Sequence, residues 1–161
     1  MAEFGLYVVS AGGGEIALCP IPGGAGDYAS DLAAILRWAP ALLITMTTEG
    51  ELAAAGAGTL ADDLAHAGIA WRHVPVADFG TPEQDVAQHW PEVSEAARAA
   101  LSRGERVLVH CKGGCGRSGM AVLRIMVDAG EAPEMALARL RQVRPCAVET
   151  EAQMDWAVRG E

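Results

Sequence analysis

The chain has 161 residues, of which 51% are hydrophobic and 20% charged, a composition typical of a globular protein and not of a disordered or fibrous one. Its 12 basic and 21 acidic side chains give a formal charge of -9, which disfavours binding to nucleic acid or to anionic membrane surfaces. Because the overall charge repels anions, any anionic ligand must be held by the local arrangement of hydrogen-bond donors and cations at its site. We expect residues 1–161 to form a single domain, because this length is typical of one.

The sequence also bears on compartment and cofactors. It begins without a basic segment followed by an apolar one, and it contains no apolar run of the ~18 residues that a membrane helix needs. We therefore expect a cytoplasmic protein that does not enter a membrane. The four cysteines, at positions 19, 111, 115 and 146, form no CxxC pair and are expected to stay reduced. We expect no metal and no cofactor.

The first half of the chain alternates short apolar runs with helical patterns. Gly12, Gly13 and Gly14 separate two strands in a pattern typical of a hairpin, and Asp27 or Ser30 is placed to cap the first helix. A continuous apolar run is expected to form a buried parallel strand, followed by two helices capped by Thr48 and Thr59. The predicted elements are strands at Leu6–Ser10, Glu15–Leu18 and Ala41–Met46, a helix whose apolar positions include Leu32 and Trp38, and helices at Glu49–Ala55 and Leu60–Ala67.

The second half continues this alternation. The pattern predicts a strand over Ile69–Val76, a helical region from Pro82 to Ser102 with a kink or restart at Pro91, and a buried strand over Arg106–His110. Helices are predicted at about 118–129, 133–143 and 150–158. This order indicates an α/β fold with a central, largely parallel five-stranded sheet flanked by helices.

A glycine-rich loop after the last strand has several possible interpretations. Gly114, Gly116 and Gly119 fit the GxGxxG dinucleotide pattern, but the region about 20 residues further on has helical periodicity, where that pattern needs a strand ending in an acidic residue. A Walker loop would need lysine where Arg117 stands. A metal site built on His110, Cys111 and Cys115 would lack a second ligand pair at the usual spacing.

The remaining interpretation is a phosphate-binding cradle that runs from Cys111 to Arg117. Three glycines let the backbone curl so that its N–H groups point at a tetrahedral oxyanion, and the Arg117 guanidinium closes the ring. The helix expected near Ser118 adds its positive N-terminal end, which favours the thiolate of Cys111. The candidate phosphate-binding residues are Lys112, Gly113, Gly114, Cys115, Gly116 and Arg117.

The segment from His110 to Gly119 resembles the HCxxGxxR[ST]G signature of cysteine-dependent protein phosphatases, the tyrosine and dual-specificity superfamily. Within that superfamily it is most similar to the kinase-associated phosphatases, the cyclin-dependent kinase inhibitor type. Four further segments follow that group's order: residues 18–23, 48–52, 73–82 and 147–153. The resemblance covers nearly the whole chain and implies the phosphotyrosine phosphatase-like fold.

The resemblance also implies a catalytic apparatus. Cys111 is then the nucleophile, Arg117 holds the equatorial oxygens, and the Ser118 hydroxyl donates a hydrogen bond to the departing sulfur. Asp78 corresponds to the aspartate that protonates the leaving oxygen, and its neighbour Phe79 is expected to touch substrate. Glu83 and Asp85 are rivals for the acid, but both fall in a predicted helix and are expected to be solvated.

Several residues carry two interpretations. Gln153 matches a glutamine that positions water in many members of the superfamily, but a polar helix surface is equally compatible with its spacing. His110 is expected to orient the loop through hydrogen bonds, and Lys112 to contribute its amide more than its side chain. Cys115 or Cys19 is placed to trap oxidised Cys111 as a disulfide, whereas buried cysteines are usually only small apolar residues.

The sequence therefore predicts a phosphomonoester hydrolase of the protein-tyrosine or dual-specificity type that acts through a phosphocysteine. Its substrate would be a phosphorylated protein or a small phosphomonoester, and we expect a monomer. Two alternatives are a phosphate-binding module with little catalysis and a thiol-based reductase of oxyanions such as arsenate. The joint presence of Cys111, Arg117, Ser118 and Asp78 argues against the first, and the late position of the loop argues against the second.

Overall fold

The fold is built on one twisted five-stranded sheet in the order β1-β2-β5-β3-β4. The structure is a computed structural model that describes residues 4–159, so both ends of the expected single domain, residues 1–3 and 160–161, lie outside the described residues. β1 and β2 form an antiparallel hairpin, and every other neighbouring pair of strands is parallel. The expected α/β fold with a largely parallel five-stranded sheet is confirmed.

The strands lie close to their predicted positions, and the hairpin turn falls at the glycines that signalled it. Their bounds are β1 Tyr7–Ala11, β2 Gly14–Cys19, β3 Leu42–Thr45, β4 Ala70–His73 and β5 Arg106–His110. β4 is shorter than predicted, because Pro75 has no N–H to donate and regular pairing ends before it. Beyond the end of β4, two isolated hydrogen bonds continue the pairing, from the Val74 and Val76 N–H groups to the carbonyls of Thr45 and Met46.

Eight helices connect and cover the strands of this described chain. Their bounds are α1 Tyr28–Trp38, α2 Glu49–Ala54, α3 Leu60–His66, α4 Gln84–Ala87, α5 Trp90–Ser102, α6 Gly116–Asp128, α7 Pro133–Val143 and α8 Glu151–Arg159. Asp27 caps α1 by accepting a hydrogen bond from the Ser30 N–H, and Thr48 caps α2. Thr59 does not cap α3, because its hydroxyl donates to the Asp63 carboxylate on the next turn.

The region from Pro82 to Ser102 is two helices rather than one long helix. The chain turns at Gln88 and His89 and starts again at Trp90 with Pro91 in the first turn of α5. Proline suits this position, because the first N–H groups of a helix have no partner within it. The predicted restart at Pro91 is therefore confirmed.

The sheet separates two apolar layers, because successive side chains of a strand point to opposite faces. One layer packs α5 to α8 against residues such as Ile16, Ile44 and Val109. The other packs α1 to α3 against residues such as Leu43 and Leu108. Both layers leave the carboxyl ends of β2, β3 and β5 at a single edge of the sheet. In the described part of the chain, no helix is long and apolar enough to cross a bilayer.

Candidate active site

A loop of five residues connects β5 to α6 at the carboxyl edge of the sheet, the edge at which parallel α/β folds bind ligands. β5 is the middle strand, so the loop is supported by a neighbour on each side. The register pairs its last residue, His110, with Cys19 of β2 and Thr45 of β3. The position of the loop is thus fixed by the most buried part of the fold.

The amides of this loop form a concentration of free hydrogen-bond donors. Among residues 4–159, none of the backbone N–H groups from Lys112 to Ser118 donates to another group. The last three belong to the first turn of α6, where the helix cannot supply acceptors and where its positive end lies. Unpaired N–H groups gathered at a helix start favour the binding of an anion.

The carbonyls of the same loop are held by other elements. Arg144 donates from Nε to the Gly114 carbonyl at 3.1 Å and from Nη2 to the Gly113 carbonyl at 2.9 Å. The Lys112 carbonyl accepts from the N–H of Ile21, and the Cys115 carbonyl accepts from the N–H groups of Gly119 and Val148. The loop therefore has its acceptors satisfied and its donors free. Sequence reasoning missed Arg144, which lies 30 positions away.

Two glycines of the motif are required by their surroundings. Gly114 has φ of +74°, and a Cβ there would come within 2.6 Å of the Cys19 carbonyl carbon. A Cβ on Gly119 would come within 2.6 Å of the Val148 nitrogen. Gly113, by contrast, has no atom within 4 Å of the position of a Cβ. Close approach of neighbouring backbone, more than loop flexibility, therefore explains the glycines at positions 114 and 119.

Cys111 lies at the base of the loop and is 2% exposed. The fully buried Ser118 hydroxyl lies 3.2 Å from its Sγ, across the first turn of α6. A serine hydroxyl at this distance can donate a hydrogen bond to a thiolate. The loop thus places these two predicted site residues together, as the motif indicates.

Arg117 is a buried guanidinium, only 1% exposed, that points across the site. Its Nη1 and Nη2 atoms form a bidentate pair with Glu51 at 2.7 and 2.8 Å, and Nη1 also donates to the Val76 carbonyl. Asp78 lies 3.2 Å from Nη2. The Nε atom is buried and has no partner in the described chain. The Nε–H is therefore a donor that no group of residues 4–159 satisfies.

Glu51 is the main functional residue that sequence reasoning missed. It lies in the first turn of α2 and completes a capping box with Thr48, so the Glu51 carboxylate is fixed before it meets Arg117. The hydrogen bonds from Arg117 lower the pKa of Glu51 to about 2, against the opposing effect of partial burial. The pKa of Arg117 is raised: burial lowers it, but the bond to Glu51 and the nearby Cys111 and Asp78 outweigh that effect.

The loop after β4 carries the candidate acid, Asp78. Its side chain is 46% exposed and accepts a hydrogen bond from the N–H of Phe79, which has φ of +63° and an exposed ring. The rivals Glu83 and Asp85 are exposed around the start of α4, as expected for solvated carboxylates. Among the three carboxylates, Asp78 is the one that reaches Arg117.

Gln153 connects this acid loop to α8. It is fully buried, so the interpretation as a polar helix surface is wrong. Its Nε2 donates to the Gly80 carbonyl at 3.1 Å, and its Oε1 accepts from the N–H groups of Glu149 and Thr150. The side chain therefore holds the loop that carries Asp78 against the start of α8.

His110 is buried beneath the loop in a chain of hydrogen bonds. Trp71 donates to the Thr45 hydroxyl, which lies 2.9 Å from His110 Nε2, and Nδ1 lies 3.1 Å from the Cys111 carbonyl. These partners assign the proton of the neutral ring to Nδ1, where it meets a carbonyl acceptor. Burial lowers the pKa of His110 to about 4. The ring contacts the Cys111 backbone and is fully buried, and its role in orienting the loop stays a prediction.

The bonding state of two of the four cysteines differs from the expectation. Cys115 is joined to Cys146 in a disulfide with the Cα atoms 5.2 Å apart, so the expectation that all four are free thiols is wrong for this pair. The loop before α8 runs alongside the phosphate loop, which the sequence did not indicate. Cys115 is thus engaged and unavailable to trap Cys111. Cys19 and Cys111 are free and buried, and burial raises the pKa of Cys19.

The remaining predicted residue, Lys112, has an exposed side chain at the rim of the loop, consistent with a contribution from its amide. Within residues 4–159, no three His, Cys, Asp or Glu side chains gather as metal ligands would. The arrangement supplies a buried thiol, a ring of N–H donors, a fixed guanidinium and a nearby carboxylic acid. These groups suit displacement at a tetrahedral oxyanion.

The family is established by comparison with known sequences. The model of the dual specificity phosphatase catalytic domain matches residues 53–159. The chain therefore belongs to the family of dual specificity phosphatase catalytic domains.

Among individual proteins, the chain is similar to cyclin-dependent kinase inhibitor 3. It is 36% identical to the mouse protein over 98 residues, which cover 60% of this chain and 45% of the mouse protein. It is 35% identical to the human protein over 104 residues, covering 63% and 48% respectively. The chain thus spans about half the length of the curated relatives it matches.

Solved structures support the same fold. A crystal structure of kinase associated phosphatase with its catalytic-site cysteine replaced by serine superposes with a TM-score of 0.83 and 24% identity, covering 98% of this chain and 93% of that one. Tk-PTP in its active form gives a TM-score of 0.72 and 26% identity, with 92% of each chain covered. The similarity to relatives of the kinase-associated type, expected from the motifs, is confirmed.

Proposed function

We propose that this chain is a single catalytic domain that hydrolyses phosphomonoesters, and that its substrates are proteins phosphorylated on tyrosine, serine or threonine. The observation that carries the proposal is the run of backbone N–H groups from Lys112 to Ser118 that have no acceptor among residues 4–159 and that directly follow the free Cys111 thiol. The buried Nε of Arg117 adds a further donor. A phosphoryl group would occupy these donors with its non-bridging oxygens.

The reaction would proceed in two displacements. The Cys111 thiolate attacks phosphorus, an S–P bond forms, and the P–O bond to the leaving group breaks as Asp78 gives its proton to the leaving oxygen. Water then attacks the phosphocysteine, Asp78 takes a proton from it, and the S–P bond breaks. Ser118 would stabilise the departing thiolate across the 3.2 Å contact. Arg117 and the amides hold the three equatorial oxygens in both steps.

The two alternatives have less support. A binding module without catalysis would not need a buried thiol at the start of the phosphate-binding loop or the Asp78 carboxylate 3.2 Å from Arg117. An oxyanion reductase needs a further accessible thiol to resolve an adduct on Cys111, but Cys115 is bonded to Cys146 and the other free thiol, Cys19, is fully buried. The names of the relatives associate those proteins with kinases, and for this chain we propose phosphoproteins as the substrate class.

Hydrolysis of p-nitrophenyl phosphate tests this proposal. The wild type should show turnover, and Cys111→Ser should lose at least about 1,000-fold in kcat because the nucleophile is removed. Cys19→Ala removes the other free thiol and serves as the matched control, with much of the activity retained. A rapid quench should show a mass increase of one phosphoryl group on the Cys111 peptide. Turnover that persists in Cys111→Ser would contradict the mechanism.

The role of Asp78 needs substrates with different leaving groups. Asp78→Asn should slow hydrolysis of alkyl phosphates by about 100-fold or more and that of p-nitrophenyl phosphate by less, because p-nitrophenolate leaves readily without a proton. Asp85→Asn is the matched control in the next helix. An equal loss on both substrates would assign the acid elsewhere.

A further inference from the structure

A cavity of about 430 Å³ lies beside the phosphate loop and is not used by the reaction described above. It shares three residues with the site, Glu51, Lys112 and Gly113, so it adjoins the position of the phosphoryl group. The rest of its wall is mostly apolar, formed by Phe4, Pro20, Ile21, Ala25, Ala54 and Ala55. Cavities of this volume bind a side chain or a small ligand.

One carboxylate in the wall is unusual in this apolar setting. Asp31, in the first turn of α1, is only 8% exposed and lines the cavity. Its Oδ2 accepts a hydrogen bond from the Gly23 N–H at 2.8 Å. Within residues 4–159, no donor reaches its Oδ1, and that atom is not sealed from solvent. The free oxygen is therefore available to a donor that enters the cavity.

The charges around the cavity favour a cation. The Glu51 carboxylate is paired with Arg117, and the Lys112 side chain is exposed where it lines the cavity, so Asp31 supplies the buried charge of the wall. The whole chain is also acidic, with a formal charge of -9. A ligand that suits both the wall and Asp31 has an aliphatic stem and a cationic head, as lysine and arginine do.

We propose that this cavity binds a basic side chain of a phosphopeptide substrate, a Lys or Arg within two residues of the phosphorylated one, with its cation on Asp31. The inference rests on the proposed phosphatase function, because the phosphoryl group in the neighbouring cup holds the peptide in place. The aliphatic stem contacts the apolar wall, and the head forms a charge-assisted hydrogen bond to the free oxygen.

The test compares phosphopeptides that differ only in the residues flanking the phosphorylated one, with Lys, Leu or Ala at those positions. For the wild type, we expect kcat/KM to be about tenfold higher with Lys than with Ala, the effect of one charge-assisted contact. In Asp31→Asn, which keeps an acceptor for Gly23, the Lys-to-Ala ratio should fall to within about twofold of one. The ratio within each variant cancels any general loss of activity.

Two controls separate a subsite from general effects. Asp62→Asn removes an equal charge at an exposed site outside the cavity and should keep the Lys preference. Ala54→Trp fills the cavity and should abolish the preference, whereas Ala53→Trp, on the neighbouring position of α2, should keep it. The second pair keeps the proposal testable if Asp31→Asn fails to fold.

Three outcomes would overturn the inference: no preference for Lys in the wild type, a preference that survives Asp31→Asn, or peptides with Leu that match those with Lys. The last would mean that the cavity binds an apolar group and does not use its carboxylate. Failure of the proposed function is distinct, because the wild type would then not hydrolyse p-nitrophenyl phosphate at all.

Discussion

Arg117 depends on Glu51 for its orientation, because the bidentate pair fixes the guanidinium plane and leaves Nε without a partner in the described chain. Glu51→Gln removes the charge and one of the two acceptors. We expect kcat/KM for p-nitrophenyl phosphate to fall by about 10- to 100-fold, and inhibition by vanadate to weaken by a similar factor, through a misplaced Arg117. Steady-state kinetics and vanadate titration measure both effects.

Glu49→Gln is the matched control for this prediction, since Glu49 is an exposed carboxylate in the same first turn of α2. It should change both quantities by less than about twofold, as surface charges usually do. If Glu51→Gln lowered kcat while vanadate bound as tightly as before, Glu51 would not be acting through Arg117.

His110 gives the fold a specific sensitivity to acid. Its folded pKa of about 4 lies below the ordinary value of 6.5, so the unfolded chain binds more protons between these two values. The titration of His110 therefore leaves the free energy of unfolding unchanged above pH 6.5. As the pH drops toward 4, it lowers that free energy by about 2–3 kcal/mol. Denaturant unfolding at several pH values measures the slope. His110→Gln should flatten that slope, and His66→Gln, at an exposed histidine, should not.

At the scale of elements, the disulfide joins the phosphate loop to the segment before α8 across a separation of 31 residues. Restricting the unfolded chain by a loop of this length is worth about 3–4 kcal/mol. Cys146→Ser, or a dithiol reductant acting on the wild type, should therefore lower the free energy of unfolding by about that amount. Activity should persist within several-fold, because Arg144 and Val148 still hold the loop.

Chemical denaturation with and without reductant checks this prediction. The Cys146→Ser variant is its own control, since a reductant should not destabilise it further. A wild type whose unfolding is unchanged by reductant, with the disulfide verified as reduced, would contradict the prediction.

Gln153 connects α8 to the loop that carries Asp78, through its hydrogen bond to the Gly80 carbonyl. Gln153→Ala removes the bond to the Gly80 carbonyl and frees the acid loop. We expect kcat for alkyl phosphates to fall about tenfold and kcat for p-nitrophenyl phosphate to fall less, because only the first needs the acid. Gln142→Ala, at an exposed position of α7, is the control. Equal losses on both substrates would indicate a role in the nucleophile or water step.

At the scale of the whole molecule, the sequence indicated what lies within one continuous segment. One continuous strand, loop and helix carries Cys111, Arg117 and Ser118 and so brings them together. The spacing of the glycines in this segment predicts the loop. Glu51, Arg144 and the bond between Cys115 and Cys146 arise from contacts between distant segments. A single carboxylate in a helix, or an arginine just after one, carries no sequence signal of its partner, so these contacts could be found only in the structure.

The charge of the whole molecule should make activity depend on salt in a way that differs between substrates. With a formal charge of -9, the protein repels acidic phosphopeptides and attracts basic ones, and salt screens both effects beyond about 10 Å at 0.1 M. Between about 0.01 and about 0.5 M NaCl, we expect kcat/KM to rise for a phosphopeptide flanked by Glu and to fall for one flanked by Lys. A peptide with neutral flanks is the control and should change least. The same salt dependence for all three peptides would show that binding depends on the phosphate-binding loop alone, without a contribution from the overall electrostatic field of the protein.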